Sequence, residues 1–123
     1  MHPARLLRIA NHEVGRVLGQ LPDAIHEAAT ACRVECVLMA ECLADGESLE
    51  DDLLGLFEGC SRADPQAETA DQLPRIRLFL DNLWDYAGAN LRTFRAEVRL
   101  TLLHELGHYL GLSEAGVEQL GLA

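Results

Sequence analysis

Thr101-Leu102-Leu103-His104-Glu105-Leu106-Gly107-His108-Tyr109-Leu110-Gly111 is the stretch on which the reading of this chain turns. It closes a helical pattern that runs from Thr93 to Leu110 and that Gly111 stops. Inside it lies HExxH. On a helix, His104 and His108 are one turn apart on one face, so both imidazoles can reach a single metal ion. Glu105 sits about 100° further round, where it can take a proton from water and pass it to a leaving amine. At 3.6 residues per turn, Glu97, Thr101, His104 and His108 fall within a ~60° sector. Val98, Leu102, Leu103, Leu106 and Leu110 occupy the opposite half, which makes a polar metal face backed by a core face.

The chain carries its own controls. His12-Glu13-Val14-Gly15-Arg16 and His26-Glu27-Ala28-Ala29-Thr30 begin like the motif but lack the second His, and read as polar pairs on surface helices. With this chain's His and Glu frequencies, one HExxH arises by chance about 2% of the time. Zinc suits the two nitrogen ligands and in catalytic sites keeps one position open for water. Nickel, cobalt and iron also accept imidazole. A third ligand is needed. Gly111 can reverse the chain in a left-handed turn, and Glu114 follows, which completes HExxHxxGxxE. Equally, Ser113 can cap a last short helix with Glu114 as its first residue. Glu118, one turn later, is the next candidate.

Outward from the motif, 123 residues suffice for one domain, and 49% hydrophobic content supports a core. Ten bases, all Arg, against twenty acids give a net charge of −10, which argues against nucleic-acid backbones and anionic membrane surfaces. Arg5 and Arg8 interrupt any leader-like apolar run near the N-terminus, and no window approaches the roughly 18 apolar residues of a membrane span. The expected location is cytoplasmic, with Cys32, Cys36, Cys42 and Cys60 reduced. In a strand, Cys32 and Cys36 would stand about 13 Å apart and could not share an ion, so all four read as buried free thiols.

Periodicity predicts a helix over 4–21, a short helical stretch to Ala31, and a strand from Arg33 to Glu41. Ser48 and Asp51 resemble a capping box for a one-turn helix within an acidic run, Glu47 to Asp52, that reads as a solvated turn. Leu54–Gly59 is a short strand, 60–74 the longest loop, and Arg75–Leu80 the clearest strand. Asp81–Asn90 reads as a connection carrying Trp84 and Tyr86, which belong to the core edge or to a cleft near the metal. Tyr109 should face the core. The expectation is a single α+β domain over 1–123.

These residues resemble the minimal zincin-like proteins of bacteria, a zinc metallopeptidase group with a matrix-metalloprotease-like domain. The resemblance spans the N-terminal helix ending at Leu21-Pro22, the strand near Val34–Met39, Leu53-Leu54-Gly55-Leu56-Phe57-Glu58-Gly59, Leu73–Phe79, and Arg99–His108 with Gly111-Leu112-Ser113-Glu114. It implies an α+β zincin-like fold, with a small mixed sheet packed on an N-terminal helix and an active-site HExxH helix. It implies Zn2+ on His104, His108 and an acid at Glu114, with Glu105 as catalytic base. The group commonly has Asp at that third place, and Glu is one methylene longer. It also makes Leu54–Glu58 an edge strand able to pair with an extended peptide.

The function expected is peptide-bond hydrolysis on a peptide or protein substrate, without nucleic acid or membrane. The alternatives are a non-catalytic protein whose zinc only staples the fold and, ranked lower, a metal-dependent ribonuclease. The latter resembles a pattern with a third His and no Glu after the first, whereas Glu105 is present here.

Overall fold

The computed structural model describes residues 1–62 and 73–119, the side chain of Glu114 excepted, so most of the expected 60–74 loop lies outside the described residues. The first helix, α1 (Pro3–Gln20), starts where Pro3 cannot donate and His2 Nδ1 accepts from the Ala4 N–H at 3.0 Å. Leu6, Ala10, Val14 and Val17 form its buried stripe. After Leu21-Pro22 comes α2 (Asp23–Ala29). Glu13 corrects the surface-pair reading: it is buried and held by Arg16 at 3.3 Å, whereas His12, His26 and Glu27 are exposed as expected.

The strand expected from Arg33 to Glu41 stops early. β1 covers Arg33–Val37, and α3 (Met39–Ala44) replaces its second half. The cause is distant. The Asp81 carboxylate accepts from the Met39 and Ala40 N–H groups at 2.7 and 3.0 Å, a cap supplied from about forty residues along the chain. No one-turn helix forms at Ser48. Instead Asp51 and Asp52 make a turn, and Asn82 Nδ2 donates to the carbonyls of Asp51 and Leu53, both at 2.8 Å.

β2 (Gly55–Glu58) and β3 (Arg75–Phe79) fall close to where alternation places them. The expected 81–90 connection is instead largely α4 (Leu80–Tyr86), which buries Leu80 and Leu83. α5 (Leu91–Leu110) starts two residues before Thr93, because Asn90 Oδ1 caps the Thr93 N–H at 3.0 Å. α6 (Glu114–Glu118) follows Ser113, whose Oγ accepts from the Gly116 N–H at 3.2 Å.

The sheet is mixed, in the order β1-β3-β2, with β1 parallel and β2 antiparallel to the central β3. This is the α+β, zincin-like arrangement expected, with α1 and α5 packed together behind one face. Val34, Cys36, Ile76, Leu78 and Phe57 meet Phe94, Val98, Leu102 and Leu106 in the main core. The opposite face holds a smaller cluster around Phe79, Met39 and Cys42.

That second face explains Arg77. Its side chain is 3% exposed and bridges Glu47 at 2.8 Å and Glu58 at 2.7 Å, with the guanidinium over the Phe79 ring. Glu47 is therefore tied down rather than part of a solvated turn. The Arg77 hydrogen bond holds the Glu47 carboxyl below its usual range. A lowered acid pKa stabilises the fold above the ordinary carboxylate range, and that stability is lost as pH falls through the folded value, so acid loosens this tie only below the range in which free carboxylates titrate.

Arg77→Ala should cost about 3 kcal/mol, the low end for a broken buried pair, because the two orphaned carboxylates still reach water. Urea unfolding measures it. A loss below about 1 kcal/mol would reduce the pair to an ordinary surface contact.

Candidate metal centre

α5 delivers what the 3.6-residue period promises. His104 and His108 are both exposed on one side, with ring centroids 4.6 Å apart. Val98, Leu102, Leu103 and Leu106 are buried on the other. Glu105 lies between these faces. Its side chain is 10% exposed, and Oε2 stands 3.5 Å from His108 Nδ1. His104, Glu105 and His108 each offer a ligand atom within 4.8 Å of the others, and they are the one group of three such side chains among the described residues that could hold a metal ion.

Two glycines bring other elements onto this turn of helix. A Cβ at Gly55 would lie 2.6 Å from Thr101 Cγ2 and 3.3 Å from Glu105 Cγ. Only a bare backbone lets β2 pass so close, and this contact covers Glu105. An isolated Gly inside a strand pattern is the sequence signal of a close approach of this kind, and Gly55 carries it here. Gly55→Ala should therefore cost about 1–3 kcal/mol, with much of the loss restored by adding Thr101→Ala. Thermal unfolding of the single and double variants decides it, since an unrelieved double variant would place the strain elsewhere.

Gly107 does the same for α6: a Cβ there would meet Val117 Cγ2 at 2.5 Å. The chain reverses at Gly111, which is left-handed at φ 73°, as the Leu112 N–H closes back on the Gly107 carbonyl at 2.9 Å. α6 is thereby folded against the motif. The side chain of Glu114, the expected third ligand, lies outside the described residues. Ser113 is the helix cap that the rival reading anticipated, which puts Glu114 first in α6.

Between these elements opens a cleft of about 440 Å³, lined by Gly55 from β2 and Leu54 just before it, by Leu100, Thr101, Leu103, His104 and Glu105 from α5, and by Val117 and Glu118 from α6. Trp84 and Tyr86 do not line it. Trp84 packs edge-on against Phe94 at 5.7 Å, and Tyr86 is largely exposed. Tyr109 is buried, 5.7 Å from Phe57, and burial raises its hydroxyl pKa. It is thus a core residue, as expected. The four cysteines are free, and burial pushes Cys32 and Cys36 up to about 11. Cys36 and Cys60 are only partly buried.

β2 is an edge. The Phe79 N–H donates to the Leu54 carbonyl at 2.9 Å, and bonded pairs alternate along an antiparallel ladder. The pairs with β3 therefore fall at Leu54, Leu56 and Glu58, and the N–H and C=O groups of Gly55 and Phe57 point away from the sheet.

With this geometry in hand, the chain can be placed: residues 29–122, more than half its length, match the zincin-like metallopeptidase family, and the chain belongs to it. No curated protein matches it. Among the described residues, no helix is long and apolar enough to cross a membrane.

Proposed function

We propose that the protein is a zinc-dependent peptidase in which His104 and His108 hold the metal and Glu105 is the general base. The observation that carries this reading is the close His104–Glu105–His108 group, with its carboxylate buried under an edge strand at the wall of a cleft. Two imidazoles with a nearby carboxylate fit zinc by donor chemistry. When bound, zinc polarises a carbonyl and makes water a stronger acid.

The rest is the work of this chain's residues. Glu105, screened from bulk water, accepts a proton from the attacking water on a carboxylate oxygen and returns it to the leaving amine. Gly55 and Phe57 offer backbone donors and acceptors to an extended peptide, which would lie along β2 as an added strand and bring its carbonyl past His104. Glu114 is our third ligand, reached through the Gly111 turn. The substrate is a peptide or an unfolded protein segment, because a shallow cleft with one open strand edge takes a chain rather than a folded surface.

The test is direct. Zinc-loaded protein incubated with a diverse peptide mixture should generate new termini detectable by mass spectrometry. A mixture left intact would overturn the peptidase reading and favour a zinc that only staples the fold.

A further inference from the structure

Among the described residues, the ionisable lining of the cleft is His104, Glu105 and Glu118, without an arginine, in a chain of ten bases and twenty acids. Glu118 is exposed at the rim, and its carboxylate stands outside the close group that His104, Glu105 and His108 form. Leu54, Leu100, Leu103 and Val117 give the same cleft aliphatic walls. Leu100, one turn before His104, is 45% exposed, and Leu103 and Val117 close the apolar side. A carboxylate at the mouth of an aliphatic wall complements a side chain with a long hydrocarbon stem and a cationic head.

We infer, resting on the peptidase reading above, that the cleft selects peptides with Arg or Lys beside the bond to be cut, and that Glu118 is the specificity-determining residue. The stem lies along Leu100 and Val117, and the head pairs with Glu118. The net charge of −10 adds long-range attraction for basic segments.

The experiment uses synthetic peptides of one sequence that differ at a single position, occupied by Arg, Lys, norleucine, Gln or Glu. Zinc-loaded protein should cleave the Arg and Lys peptides about tenfold faster than the norleucine peptide, the value of one charge-assisted contact. Glu118→Gln should erase that preference, and Glu118→Arg should turn it towards the Glu peptide. Equal rates across the series, or a preference that survives Glu118→Gln, would overturn the inference and leave the peptidase reading intact.

If wild type cleaves none of them, the peptidase reading falls, and binding decides the rest. Fluorescently labelled Arg and norleucine peptides titrated onto zinc-loaded Glu105→Gln protein should still differ in affinity, and equal affinities would overturn the inference. Zinc content of Glu118→Gln is the last control. It should match wild type, and a loss of zinc would make Glu118 a ligand and overturn its recognition role.

Discussion

His108→Ala is expected to reduce bound zinc from near one equivalent per chain to almost none after dialysis against a weak chelator. His104 and His108 are adjacent on the exposed side of α5, and the cluster they form with Glu105 has no replacement among the described residues. Losing even a group that only orients a ligand weakens metal binding by roughly 10–100-fold, so losing a ligand should cost more. The change also leaves the fold alone. The His108 side chain is 54% exposed, so alanine opens no cavity, and thermal unfolding of the metal-free proteins should coincide. Metal analysis of both proteins decides the matter, and equal zinc retention would remove His108 from the site.

Glu105→Gln should do the reverse, keeping zinc while lowering hydrolysis by on the order of 10²-fold or more through loss of the general base. The side chain is almost isosteric, so the contacts under Gly55 remain. What disappears is the ability to carry a proton. Glu114→Ala is the counterpart, expected to weaken zinc binding, since it is our third ligand. Measured together, zinc content and cleavage rate separate base from ligand. Equal cleavage by wild type and Glu105→Gln, above background, would sink the catalytic assignment.

Much of this site was legible because helices obey a local rule. The His104–His108 spacing, the apolar stripe opposite them, the stop at Gly111 and the cap at Ser113 all follow from residues a few positions apart. The same holds for α1 and for the alternation of Arg75–Phe79. Helix α4 was missed although Leu80 and Leu83 are spaced to share a face, because a seven-residue pattern is too short to declare itself.

The sequence by itself determined the elements whose pattern is internal to them: the long helices, the central strand and the helical turn that gathers two imidazoles and a carboxylate. Only the tertiary structure decided the rest. Asp81 turns the second half of an apparent strand into α3 by capping it from afar. Glu47 and Glu58 make it possible to bury the Arg77 charge. Gly55 and Gly107 draw β2 and α6 onto the motif, which buries Glu105 and shapes the cleft. The physical reason is common to all three. A backbone donor, a charge or a missing Cβ takes its value from partners distant in sequence, and those partners meet only when the chain is folded.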